Sequence, residues 1–203
     1  MYKIGNIIEY AKEHGFLGLL KAAFRKFVFH QEKHVLTCLS LAEPLPVLQP
    51  LQNISFRKAS LADRGELIQL IKEERYSQVK KEFHKWIKKD YFFLLAIAED
   101  KIMGYCCVSK DIPSKYRAIK GINFKDDDAW GQDAFVHPRY RGNNVYPVLA
   151  IEALKSAAAA GYRRVYGEMT SSNFSSRCAH QKIGCKEIRE ITLSKILFFK
   201  TCY

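Results

Sequence analysis

The order in which two periodicities succeed one another constrains this chain more than any other feature. From Ile54 onward, extended apolar runs and helical patterns alternate. ISFRKAS (54–60) reads as a strand. Leu61-Ala62-Asp63 opens a helix carrying Leu67, Ile68, Leu70 and Ile71, and a basic helix follows through Val79, Phe83, Trp86 and Ile87. YFFLLAIAED (91–100) is a continuous apolar strand, and Asp100-Lys101 turns it into KIMGYCCVSK, so the two form a hairpin. AWGQDAFVHP is a strand ending at Pro138. Gly142 to Ala160 is a helix stopped at Gly161, RRVYGEMTS a strand, Asn173 to Lys182 a short helix, and ITLSKILFFK a final strand. Residues 111–128 show no clear period and are expected as a long polar loop. The order β-α-α-β-β-β-α-β-α-β predicts an α/β (α+β) sheet with helices packed on its faces.

The first 50 residues follow a different rhythm and read as an extension, 1–50, ahead of a main domain, 51–203. In FLGLLKAAFRKFVFH, Phe16, Leu17, Leu20, Phe24, Phe27 and Val28 fall on one side, and Gly18, Lys21, Arg25 and Lys26 on the other. That is an amphipathic helix with a basic face. It can dock on the main domain or on a second subunit, giving a homodimer. It can also lie in a membrane interface through residues 16–30, with its lysines on anionic head groups. HVLTCLSL (34–41) reads as a short strand, and Pro44, Pro46 and Pro50 make an extended connector.

Charge and cysteine content narrow the classes. The 203 residues carry a net charge of +12, so an anionic partner is expected. The Lys and Arg residues are spread along the chain without a concentrated arm or stripe, so no nucleic acid is expected as partner. No apolar run reaches the ~18–20 residues of a membrane span. The N-terminus, with Glu9 and Glu13, lacks a secretory pattern. Cys38, Cys106, Cys107, Cys178, Cys185 and Cys202 form no CxxC pair, which argues against a metal centre and for reduced thiols in a cytoplasmic protein. Cys106 and Cys107 are expected to point to opposite faces of their strand.

The chemistry concentrates in two places. In Val136-His137-Pro138-Arg139-Tyr140-Arg141-Gly142-Asn143-Asn144-Val145 a strand runs through a turn rich in Arg, Gly and Asn directly into a helix. The first amides of a helix lack intrahelical partners and carry partial positive charge. Such a turn can wrap a pyrophosphate, with Arg139 and Arg141 adding charge and Gly142 admitting the ligand to the backbone. Strand-to-helix turns with glycine also serve as plain punctuation. About thirty residues on stand Asn173-Phe174-Ser175-Ser176 and His180-Gln181-Lys182-Ile183-Gly184-Cys185.

At these stretches the sequence resembles the GNAT superfamily of acyl-CoA-dependent N-acyltransferases. The loop Arg/Gln-x-x-Gly-x-Gly/Ala stands here as Arg139 to Asn144, preceded by Val136-His137-Pro138. The later pattern Asn-x-x-Ala/Ser…Lys-x-Gly-Phe stands as Asn173, Ser176, Lys182, Gly184 and Cys185, and Lys101 to Tyr105 matches the family's hairpin. The resemblance covers roughly residues 54–200. It implies a mixed, largely antiparallel central sheet, splayed at a cofactor cleft, with helices on both faces. It also implies a pantetheine arm paired with main-chain groups of Phe135 and Val136, and a pyrophosphate on the amides of Arg141, Gly142, Asn143, Asn144, Val145 and Tyr146. Asn173 and Ser176 are implied as cofactor contacts, Asn173 near the thioester. Seven residues after that Asn the family often has a Tyr that protonates the departing thiolate. Here it is His180, whose imidazolium can do the same work; the alternative is a packing histidine. Asp133 and Glu168 are candidate bases for the acceptor, and each has an alternative as a structural carboxylate. Asn144, Tyr146 and Cys185 depart from the family pattern.

The function implied is an N-acyltransferase that moves acetyl from acetyl-CoA, without metal, to a primary amine on a small molecule or peptide by direct attack. A longer-chain acyltransferase fed by an acyl carrier protein, or a degenerate acyl-CoA-binding protein, are the alternatives.

Overall fold

The computed structural model describes residues 15, 17–18, 29–49, 54–71, 82–89, 91–196 and 199–202. Among them, eight strands form one sheet. They are β1 (Phe29–Ser40), β2 (Ser55–Lys58), β3 (Phe92–Ala98), β4 (Lys101–Ser109), β5 (Asp128–Val136), β6 (Arg164–Thr170), β7 (Lys186–Ile196) and β8 (Phe199–Cys202). The helices are α1 (Arg64–Leu70), α2 (82–88), α3 (Ser114–Arg117), α4 (Val145–Ala159) and α5 (Phe174–Lys182). The order across the sheet is β2-β3-β4-β5-β6-β1-β7-β8, antiparallel throughout except for β5 beside β6. The mixed, largely antiparallel sheet with helices on its faces is therefore the observed architecture.

The hairpin of β3 and β4 is apolar on both sides because helices cover both. On one face Phe93, Leu95, Tyr105 and Cys107 meet Leu67 of α1 and Phe83 and Trp86 of α2. Phe93 takes Phe83 and Trp86 edge-on, with ring centroids 5.7 and 5.2 Å apart. On the other face Cys106 and Val108 lie under α4, against Leu149, Ala153 and Ala157. The two adjacent cysteines do point opposite ways. Alanines at 150, 153 and 157 let α4 sit close to the strands, and burying Leu149 and Leu154 contributes roughly 1.5–3 kcal/mol each.

Three expectations change. Residues 111–128 are not only a polar loop. Ile112, Tyr116 and Ile119 are buried against Leu36, Trp130, Tyr166 and Ile191, and Tyr116 stacks on Trp130 at 4.4 Å. Ile112, Tyr116, Ile119, Ile122 and Phe124 are scattered among lysines, and Pro113 and Gly121 interrupt the run, so no sustained period shows. The final strand is a hairpin of β7 and β8, starting at Lys186, before the expected 191. SKILFFK has no Gly, Pro, Asn or Asp, so the pattern reads straight through the turn.

The third change is at the N-terminus. The strand expected at 34–41 begins at Phe29 and lies between β6 and β7, antiparallel to both. Residues 29–40 are thus an inner strand of the sheet, and Leu36 is fully buried. The helix expected over 16–30, with its docking or membrane role, lies mainly outside the described residues.

Candidate active site

The parallel pairing of β5 and β6 is short. It joins Asp128, Ala129 and Trp130 to Arg164, Val165 and Tyr166. Its first pair is clamped: Arg164 donates two hydrogen bonds to Asp128, at 2.7 and 2.9 Å, and Asp128 also accepts the Lys125 N–H at 2.7 Å. Beyond Trp130 and Tyr166 the strands part. β5 stays with β4 as far as Val136, and β6 stays with β1 as far as Thr170. A bulge in β5 between Gly131 and Asp133 marks the divergence; its extra residue, Gln132, donates to Ser109 Oγ and the Asp111 carbonyl. Among the described residues no ladder joins β5 to β6 beyond that point, and the strands enclose a wedge-shaped split.

Alternation decides which main-chain groups enter the split. The His137 N–H donates to the Met103 carbonyl at 2.9 Å, so Phe135 also turns its backbone groups to β4 and Val136 turns its own to the split. Of the two residues expected to pair with a pantetheine arm, only Val136 faces it. The Phe135 carbonyl lies 2.5 Å from where a Cβ on Gly104 would stand. The Val136 carbonyl accepts Arg141 Nε at 3.0 Å.

The strand then enters a short turn, Pro138–Tyr140, and the loop before α4. Gly142 and Asn144 are both left-handed, with φ of +85° and 57°. Glycine meets the first at no cost, and Asn tolerates the second. A Cβ on Gly142 would meet nothing within 4 Å, so the loop is open on that side. The N–H groups of Gly142, Asn143, Asn144, Val145 and Tyr146 have no backbone partner among the described residues, and Pro147 has none to offer. An array of free amides at a helix start suits a phosphate. Arg139 is exposed, its guanidinium 6.0 Å from the Tyr140 ring, whereas Arg141 is folded back over Phe135. Lys182 Nζ donates to Asn144 Oδ1 at 3.1 Å and adds a charge that the sequence pattern had not assigned.

Helix α5 brings His180 to the same place. Asn173 caps it, accepting the Ser176 N–H at 3.1 Å. The Ser176 carbonyl accepts from His180 Nδ1 at 2.8 Å. That assigns the imidazole proton to Nδ1 and leaves Nε2 to accept the Tyr146 hydroxyl at 3.3 Å. A Cβ on Gly167, the first residue of β6 inside the split, would stand 3.8 Å from His180 Nε2. Burial pushes the His180 pKa below its ordinary value and the Tyr146 pKa well above its own, so both are uncharged at neutral pH. The imidazolium expected at 180 is therefore disfavoured, and the phenol of Tyr146, expected only as a main-chain contact, becomes its partner.

The two candidate carboxylates lie on the other face. Asp133 shares the face of Phe135, Tyr105 and Cys107, and accepts the Tyr105 hydroxyl at 2.6 Å. Glu168 follows Gly167 and so points away from His180. Glu168 Oε2 is hydrogen-bonded to Nδ1 of His34 on β1, and His34 Nε2 lies 3.1 Å from Glu32 Oε2. The sequence reading missed His34, because nothing local says which strand will lie beside β6. Asp133 and Glu168 thus flank the split on one face, and Tyr146 and His180 stand at it on the other. Burial pushes the thiols of Cys106 and Cys185 up to about 12, and raises Cys107 as well, so these three stay protonated.

With this geometry in place, the sequence profile of the acetyltransferase (GNAT) family matches residues 61–185. No curated protein matches the chain. Among solved structures, a GCN5-related N-acetyltransferase from Sphaerobacter thermophilus superposes with a TM-score of 0.59 at 15% identity, over 88% of this chain and 56% of that one. A GNAT-family acetyltransferase from Colwellia psychrerythraea gives 0.60 at 12% identity, over 85% and 59%. AAC(6')-Iy, solved in complex with the bisubstrate analogue CoA-S-monomethyl-acetylneamine, gives 0.55 at 17% identity, over 73% and 97%. The chain spans less than two thirds of the first two. At these identities the likeness is one of fold.

Proposed function

The chain belongs to the acetyltransferase (GNAT) family, and from that premise we propose that it moves an acetyl group from acetyl-CoA to a primary amine by direct attack. The observation that carries this reading is the split between β5 and β6, open along the Val136 edge and continuous with the unpartnered amides of 142–146. The donor supplies a thioester carbonyl. The loop amides, with Arg139 and Lys182, suit its phosphates, and the Val136 N–H suits a polar group of the arm or the thioester. That AAC(6')-Iy binds an analogue joining CoA to an acetylated amine supports the pairing of substrates.

The two faces divide the proton traffic. An acceptor reaching the Asp133 and Glu168 side as an ammonium gives up a proton there and attacks as the free amine. On the opposite face the departing sulfur needs a proton. A neutral imidazole whose N–H is turned to Ser176 cannot give one directly, whereas the Tyr146 O–H can rotate away from Nε2. We assign the thiol's proton to the Tyr146–His180 pair. The cysteines pushed up by burial and the CoA donor fit a cytoplasmic enzyme.

Heat denaturation with acetyl-CoA tests the site, and thiol release against a panel of primary amines tests the chemistry. The expected result is a rise in Tm that Gly142→Asp abolishes, and thiol release that depends on an amine. A full shift in the Gly142→Asp protein overturns the site. A shift without release from any amine leaves an acyl-CoA-binding protein.

A further inference from the structure

We propose that His34, from the first strand of the sheet, is the positioning residue of the acceptor base: it fixes one oxygen of Glu168, on the strand that lines the split, and is itself held by Glu32. This inference rests on the acyltransferase reading above. Three observations support it. First, β1 runs beside β6, the strand that lines the split after Tyr166, so a residue near the start of the chain reaches the site. Second, both nitrogens of one imidazole meet carboxylates, Nδ1 at Glu168 Oε2 and Nε2 at Glu32 Oε2. Third, the side chain of His34 is 10% exposed while those of Glu168 and Glu32 are 24% and 46% exposed. The imidazole is thus a buried link between a carboxylate at the split and one that reaches solvent.

A carboxylate can only accept, so an unheld glutamate at a strand edge samples several rotamers. Fixing Oε2 on Nδ1 leaves Oε1, which has no hydrogen-bond partner among the described residues, to receive the ammonium proton. The proton taken from nitrogen rests on Oε1, and the amine's lone pair is then free for attack. Other charged or titratable groups on this face are Tyr166 on β6, Tyr116 on α3 and Arg189 on β7, whose guanidinium is bonded to the Lys120 carbonyl. Asp133 stands across the split on β5. A packing role alone would need neither carboxylate.

The test is steady-state thiol release by the full chain, from acetyl-CoA and the best amine of the panel, across pH. His34→Phe is expected to lower kcat about tenfold or more near neutral pH, to leave the KM for acetyl-CoA within about twofold, and to recover as pH rises and the amine deprotonates unaided. His34→Asn, whose amide N–H can replace Nδ1–H, is expected to keep most of kcat. A substitution that merely loosened the sheet would depress all pH values alike, and Asn would not rescue it. Equal activity of the Phe and Asn proteins, or a loss independent of pH, overturns the role of His34 while leaving the acyltransferase reading intact. Absence of thiol release by the parent chain with every amine overturns both.

Discussion

His180 shows how one residue's surroundings decide its chemistry. An exposed histidine titrates near 6.5, but this one is held between α5, Tyr146 and Gly167, and burial lowers its pKa. The unfolded chain then binds that proton more readily than the folded one. Stability is complete above 6.5 and is lost as pH falls toward the lowered folded value. His180→Gln is expected to flatten the fall in Tm between about pH 7 and pH 5 relative to the parent. A melting series in matched buffers checks this; parallel curves would show that the imidazole titrates as if exposed. The residue was legible as a site candidate only through the family resemblance, which implies a proton donor seven residues after Asn173. Its uncharged state and its phenol partner were not, since both depend on Tyr146, 34 positions away.

At the scale of elements, two strands meet closely and two part, and both contacts can be tested. Gly104 on β4 faces Val136 on β5 so tightly that an added Cβ would lie 2.5 Å from the Phe135 carbonyl and 2.9 Å from Val136 Cγ2. Backbone cannot give way cheaply there. Gly104→Ala is expected to cost about 1–3 kcal/mol and to weaken acetyl-CoA binding, because β5 must shift at its open edge. Chemical denaturation and a cofactor titration read the two effects. At the other end of the split, Asp128 is 1% exposed and carries the paired bonds from Arg164. Asp128→Ala is expected to cost about 3 kcal/mol, the lower end for a broken buried pair because Arg164 keeps partial contact with water. A change under 1 kcal/mol in urea unfolding would show that the clamp does not hold the strands together.

Over the whole molecule, the charge of +12 favours an anionic donor before any contact forms. Acetyl-CoA affinity is expected to fall several-fold between about 50 and 300 mM salt, as the Debye length shortens. Isothermal titration at the two salt concentrations checks it; unchanged affinity would mean that the amides alone, without long-range attraction, account for binding. The sheet has a long-range design of its own. β1, from the start of the chain, lies between two strands from its end, so the sheet's second half is complete only when residues 29–40 are in place.

The sequence by itself determined the local part of this. The runs at 91–110 specified a hairpin, the glycine at 142 specified a place where the backbone can approach a ligand, and the strand–turn–helix at 136–145 specified where an anion could sit. These are properties of neighbouring residues: periodicity records which sides of an element are apolar, and φ preferences record how it begins and ends. Only the tertiary structure decided that β1 fills the place beside β6, that His34 meets Glu168, that Tyr146 meets His180, and that the 111–128 segment closes a third part of the core. The physical reason is that a strand edge offers the same N–H and C=O groups to any partner. Which edge it meets is settled by the packing of side chains far apart in the chain, and burial then sets the protonation of the groups left between them.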